Sequence, residues 1–285
     1  MQPHVAGATI TAMDRILVLL IALAIVSLGF GALQRLWPQV RGQSFLRRQG
    51  IFVDVAWWLF TPTLGKLFTG IVVGGSILGL AGLFGMSLTP EQLRESGVRE
   101  TAISRLPFLA QFGLFLVLAD FLAYWNHRAF HTFSRLWRIH AVHHSSTELD
   151  WLSSVRVHPL NDAIGSAVVA APLLLLGFAP AALAAYLPFL TLYAIMLHAN
   201  VDWSFGPLRS VIASPAYHRW HHAAEEQALD KNFAGLLPFY DRLFGTYYLP
   251  RELKPRRFGV LGEAPPRGFI GQLVYPFRSP HPAAD

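Results

Sequence analysis

Two stretches of the chain repeat one spacing of histidines. R-I-H-A-V-H-H-S-S at 138–146 carries His140, His143 and His144, and H-R-W-H-H at 218–222 carries His218, His221 and His222. A third cluster, H-R-A-F-H, holds His127 and His131, while His158 and His198 stand alone. Residues i, i+3 and i+4 of a helix share a face, with Cβ atoms about 5–6 Å apart, so each cluster can present two or three imidazoles to one point. Grouped, partly buried imidazoles disfavour protonation and need partners. A metal ion resolves that cost because it takes neutral imidazole directly. Eight clustered histidines exceed what one ion uses, so two ions fit the supply. Nitrogen ligation without thiolate suits Fe, Zn, Cu or Ni.

The elements that must position these rings are apolar. Of 285 residues, 53% are hydrophobic and 14% charged, against about a quarter charged in soluble domains; mean hydropathy is positive. The expectation is an all-α, polytopic membrane bundle of four to five spans with a cytoplasmic histidine-box cap. Runs long enough to span lie at 16–33, 67–88, 107–125, 163–178 and 181–197, the last two forming a hairpin. The segment 51–60, with Asp54, Trp57 and Trp58, is too short to cross and is placed at the interface. The first run is an anchor rather than a cleaved signal, since its core is long and no small-residue cleavage site precedes Arg35.

Orientation follows the basic residues. Arg35, Arg41, Arg47, Arg48 and Lys66 flank the first two runs; Arg128, Arg135, Arg138 and Arg156 follow the third, and ten more basic residues follow Asn200. An outside N-terminus places these in the cytoplasm, leaving Arg94, Arg99 and Arg105, balanced by Glu91, Glu95 and Glu100, on the other side. The net charge of +6 thus reads as topology and lipid contact, not nucleic-acid binding. There are no cysteines, which excludes disulfides, thiolate metal sites and iron–sulfur clusters.

Every histidine cluster lies just beyond an apolar run. Asp120, Tyr124, His127 and His131 recur at helical spacing, so Asp120 is an intramembrane carboxylate on the ligand stripe, read as the acceptor for a ligating imidazole. Asp202, four residues after His198, is either a carboxylate ligand or an exposed loop aspartate. His158, before Pro159, marks a segment boundary; a lone histidine like His198 is ordinarily interfacial or core. His4 and His281 sit in polar ends. Residues 1–106 read as anchoring helices, 107–250 as the histidine-box domain, and 251–285 as a proline-rich tail or surface strap.

In this order, W-N-H-R-A-F-H, H-A-V-H-H and H-R-W-H-H resemble the fatty acid hydroxylase/sterol desaturase superfamily of membrane di-iron enzymes. D-F-L-A-Y-W-N-H-R, S-V-R-V-H-P (154–159), L-H-A-N-V-D-W (197–203) and D-K-N-F-A-G-L-L-P-F-Y-D-R-L-F-G-T-Y (230–247) are similar to its further motifs, over about residues 107–248. The resemblance implies iron ligation by His127, His131, His140, His143, His144, His218, His221 and His222, with His198 a ninth. Where some members carry another histidine after the ninth ligand, this chain has Asp202; the role of His158 stays open. It further implies two ferrous ions (zinc after purification being an alternative occupant), O2 as co-substrate, and hydroxylation or desaturation of a sterol, fatty-acyl or alkyl-glycerol lipid. Electrons would come from a reductase, ferredoxin, cytochrome or reduced pterin, because no G-x-G-x-x-G precedes a helix. A carotenoid hydroxylase or ketolase is the nearest alternative. A zinc transporter or hydrolase is the more distant one, as transporters bind near the bilayer midplane and no H-E-x-x-H occurs.

Overall fold

The computed structural model describes residues 12–44, 46–85 and 101–279. The acidic and basic residues at 91–100, the end of the run at 67–88, and both terminal histidines lie outside them. The described elements are helical, with one isolated bridge between Ala223 and Phe258. In chain order they are α1 (Ala12–Leu36), α2 (Ile51–Phe60), α3 (Lys66–Leu83), α4 (Phe108–Thr132), α5 (Ser134–His144), α6 (Pro159–Leu175), α7 (Pro180–His198), α8 (Pro215–His221), α9 (Phe239–Leu243) and α10 (Phe269–Val274).

Four helical stretches are long and apolar enough to cross a membrane: Ile16–Leu36, Ile51–Leu83, Phe108–Thr132 and Pro180–His198. The expected fifth span is the shorter helix α6, of 17 residues, with Pro172 inside it. The segment at 51–60 is not a separate element, as expected, but runs on into α3 through a π turn, Thr61–Gly65, that contains Pro62. Proline lacks an N–H and strains the regular ladder, and a π turn absorbs such a break. Thirty-three residues at ~1.5 Å each exceed a hydrocarbon core of about 30 Å. α2 accordingly packs its buried Asp54, Trp57 and Trp58 against the cap, leaving α3 to cross.

α4, α6 and α7 meet through Phe115, Ala119, Leu173, Phe178, Ala182 and Tyr186, so the ends of α4 and α7 and the start of α6 reach one level. The cap is built there from α5, a 3-10 turn (Trp151–Val155), α8 and the loop before α9. Asp150 caps the 3-10 turn by accepting N–H bonds from Leu152 and Ser153. The described part of the C-terminal segment is a strap rather than a loose tail. Gln272 accepts from Trp57 Nε1, Leu273 O receives His158 Nε2, and Arg138 donates to the carbonyls of Tyr275 and Arg278. His158 also caps α6 by accepting the Leu160 N–H.

Candidate metal centre

The nine histidines singled out from the sequence fall into two groups that could each hold a metal ion. One contains His127, His131, His140, His144 and His221; the other contains His143, His198, His218 and His222, with potential ligand atoms within 4.8 Å of one another in each. The two H-x-x-H-H boxes are therefore each divided, not aimed at one point as their spacing alone suggested. In α5, His140 and His144 enter the first group and His143 the second; in α8 and its C-cap, His218 and His222 enter the second and His221 the first. Helix geometry permits this split. Residues i and i+4 nearly eclipse, whereas adjacent residues diverge by ~100° about the axis, so each box serves two neighbouring sites.

In six of the nine rings the outer nitrogen is held, while Nδ1 of His218 and of His222 is buried without a hydrogen-bond partner. Nδ1 of His127 donates to the Phe233 carbonyl at 2.8 Å, and Nδ1 of His221 to that of Lys231 at 2.8 Å. His140 Nδ1 meets Asn161 Oδ1 at 2.8 Å, His143 Nδ1 meets the Arg156 carbonyl at 3.2 Å, and His198 Nδ1 meets the Ala194 carbonyl at 2.7 Å. His131 Nδ1 lies 3.4 Å from Asp230. With Nδ1–H committed to an acceptor, a neutral ring presents a bare lone pair at Nε2.

Those lone pairs face one another. His127 and His140 place their Nε2 atoms 3.0 Å apart, and His143 and His198 theirs 3.2 Å apart. Two acceptors at that distance repel unless a cation lies between them. A proton is a poor answer. Burial first, then repulsion from neighbouring rings, holds His140, His143, His144, His218, His221 and His222 well below the ordinary imidazole value. His131 Nε2 and His221 Nε2 are buried without a hydrogen-bond partner. The donor set fits a pair of transition-metal ions of the kind imidazole binds.

A loop between α8 and α9 supports the five-histidine group. Asp241 accepts the N–H groups of Phe233 and Ala234, and Asp120 accepts those of Gly235, Leu236 and Leu237. Five successive backbone donors are thus satisfied by two carboxylates, and the same loop supplies the Lys231 and Phe233 carbonyls. Tyr217 and Thr246 also donate to Asp241. Asp120 is therefore not bonded to a histidine directly, as expected from its stripe, because three backbone N–H groups occupy it. It acts one loop removed. Asp202 is not brought to either group: its carboxylate pairs with Lys254 at 2.5 Å and its N–H bonds the Trp37 carbonyl.

Asn161, Asp230, Asp241 and Arg156 were not singled out for these contacts by sequence reasoning. Asp230, Asp241, Arg156 and the H-P preceding Asn161 all sit in or beside motifs noted without a role. The signal existed, but pairings 8 to 99 residues apart that cross between separate elements carry no local periodicity.

This arrangement defines a class: a membrane-type helical bundle with a buried, all-nitrogen pair of metal-binding groups. Residues 112–246 match the model of the fatty acid hydroxylase family. Ornithine lipid hydroxylase OlsE of Rhizobium tropici is 34% identical over 172 residues, 60% of this chain and 51% of that protein. Human alkylglycerol monooxygenase is 35% identical over 133 residues, covering 47% of this chain and 29% of that one. The very-long-chain aldehyde decarbonylase CER1 of Arabidopsis thaliana is 30% identical over 139 residues, 45% and 21% respectively. The chain spans about half the length of the first relative and under a third of the other two. No solved structure matches. The histidine-box part of the chain, residues 112–246, is thus similar to the fatty acid hydroxylase family. The helices α1 to α3 and the C-terminal strap lie outside the matched residues.

Proposed function

We propose that the nine histidines hold two iron ions and that the protein is an O2-dependent hydroxylase acting on a C–H bond of a membrane lipid. The observation that carries this reading is the pair of Nε2–Nε2 contacts whose Nδ1 atoms are already committed. Bound iron would supply activation of O2 toward an unactivated C–H bond. The chain's own residues do the rest. Carbonyls of Arg156, Ala194, Lys231 and Phe233 and the Asn161 amide fix ring tautomer and direction. Trp137 and Phe233, whose ring centroids lie 5.0 and 5.1 Å from that of His131, shield the first group from water.

The relatives named as lipid hydroxylase and alkylglycerol monooxygenase support a lipid substrate, and electrons would come from a separate reductase, ferredoxin, cytochrome or reduced pterin. Both groups would lie on the cytoplasmic side, where the basic segments place the cap. Protein purified in detergent from iron-supplied cells should carry about two metal ions per chain, as the ligand count implies. Incubation of membranes with isotopically labelled O2 and a reductant should place label in a lipid. Active protein without bound transition metal would end the reading. Comparing lipids of a deletion strain and its complemented strain would name the substrate.

A further inference from the structure

Between α4, α6 and α7 and the start of α3 lies a cavity of about 570 Å³, within the size range of ligand pockets. It has two chemically different ends. At the level of the histidines its wall includes Asn126, Asn161, Ser154, Lys66 and Asp162; toward the middle of the bundle it is lined by Val169, Ala170, Leu183 and Leu187. Asn161 is the residue that holds His140, and Ala194, also in the wall, supplies the carbonyl that holds His198. The cavity therefore approaches both metal-binding groups from their bundle side, separated from each by a residue that holds one of its rings.

Its direction follows from helix register. From Ala194 to Leu183 along α7, and from Asn161 to Ala170 along α6, the wall runs ~14–16 Å at 1.5 Å per residue, away from the histidines. The two helices are antiparallel, so both give the same sense. Toward the deep end the wall includes Tyr186, which packs on Phe115 with ring centroids 5.2 Å apart. Leu187, 45% exposed, forms part of the wall, which makes sideways access from a surrounding bilayer available. At the polar end Lys66 Nζ bonds both oxygens of Asp162 at 2.9 Å, and Thr69 donates to the same carboxylate.

We propose that this cavity seats one hydrocarbon chain of an amphiphilic lipid, methyl end inward, with the head group beside Lys66 and Asp162. The carbons nearest the head group, not those near the methyl end, then lie closer to the metal-binding groups. The inference rests on the hydroxylase reading and adds the regiochemistry: oxidation proximal to the head group. The reversed chain would put a polar head against Ala170, Leu183 and Tyr186 in the middle of the bundle, where the wall offers one hydroxyl but no charged partner to replace its hydration.

The test uses the full chain in phosphatidylcholine nanodiscs with palmitate analogues bearing a photoactivated diazirine, either next to the carboxyl group or at the methyl end. After irradiation and peptide mapping, the methyl-end probe should label α6 and α7 around Ala170 and Leu183–Leu187. The carboxyl-end probe should label around Lys66, Asn161 and Ser166. Leu183→Trp, which fills the deep end, should shift the methyl-end label out of the cavity while leaving metal content unchanged. Identical labelling by both probes, reversed labelling, or no labelling of the cavity would overturn the proposal. The activity arm is separate. A lipid product carrying oxygen near its methyl end would refute the chain direction but not the hydroxylase. Cavity labelling in the expected sense, with no oxygenated lipid under any reductant, would refute the hydroxylase but not the seat.

Discussion

The two histidine groups are built from the same two boxes yet are anchored in different ways. The five-histidine group leans on an irregular loop: Lys231 and Phe233 carbonyls orient His221 and His127, and the loop is tied down by Asp120 and Asp241. The four-histidine group leans on helix ends and on buried charge. His143 is oriented by the carbonyl of Arg156, whose guanidinium bonds Asp54 through Nε at 2.7 Å and Nη2 at 2.6 Å. Arg48 bridges the same Asp54 and Asp150, each at 2.6 Å. Burial before all else raises the Asp150 carboxyl to about 6, with Arg48 opposing it. Asp54 and Arg48 lie outside the family match, so the second group depends on α2 and the segment before it. The first is supported from inside the matched region. One group is braced wholly from within the matched residues; the other is braced from within them and also, through Arg48 and Asp54, from the N-terminal side.

Loss of a ring from either group should have the largest effect. His221→Ala and His218→Ala should each lower the metal load from about two to about one per chain and abolish lipid turnover. Elemental analysis of the folded fraction reads the first quantity and labelled O2 the second. Full loading and full activity in either variant would refute the assignment of that ring.

Next in size is Asp54→Asn. Removing one partner of a buried ion network strands the others and typically costs about 3–5 kcal/mol, so a marked fall in melting temperature is expected. The surviving folded protein should lose metal from the four-histidine group selectively. Combined with His221→Ala the variant should hold no metal; combined with His218→Ala it should still hold about one. Equal retention in the two double variants would show that Asp54 serves the fold alone. Glycine at 50 belongs to the same device: its φ is 83°, and a Cβ there would sit 2.9 Å from Arg156 Nη2.

Asp120→Asn probes the other anchor and should act more gently. The amide keeps one acceptor oxygen but loses the charge that gathers three backbone N–H groups. Changes in the shell around a metal's ligands typically cost about 10–100-fold in affinity or activity, so reduced metal affinity of the five-histidine group with residual turnover is expected. The double-variant logic is reversed: with His218→Ala, metal should dissociate more readily; with His221→Ala, little should change. A lowered melting temperature with unchanged metal affinity and specific activity would leave Asp120 a packing residue.

What could be read from the sequence is what helix periodicity encodes. The Asp120–Tyr124–His127–His131 stripe lies on one continuous helix, Phe108–Thr132, and all nine histidines assemble. The α6–α7 hairpin has its turn at Gly177, where φ is 93°. The division of each box between two groups follows from the same periodicity, yet it emerges only when both sites are present to receive the rings. The anchors were not readable. Asp120 meets Leu237 across 117 positions and Asp54 meets Arg156 across 102, and pairings at that range are fixed by how helices pack, not by spacing. The join between α2 and α3 was hidden by Pro62, which signals a break wherever a π turn does not absorb it.

Asp202 shows where periodicity misleads, and it yields the smallest predicted effect. Four residues after His198, it would share that ring's face if the helix continued. α7 ends at His198, and Ala199 turns to φ −55°, ψ 145°, so the i to i+4 relation does not apply. Its carboxylate instead reaches Lys254 at the surface, with side chains 43% and 55% exposed. Exposed pairs of this kind contribute about 0–1 kcal/mol. Asp202→Asn should therefore leave metal load and turnover unchanged and shift the melting temperature slightly, less at high salt than at low, since ions screen an exposed pair. The backbone bond from its N–H to Trp37 survives the substitution, which keeps the segment after α7 in place. Loss of one metal ion in Asp202→Asn would show that the carboxylate enters the four-histidine group in the loaded protein and that this site is mixed rather than all-nitrogen.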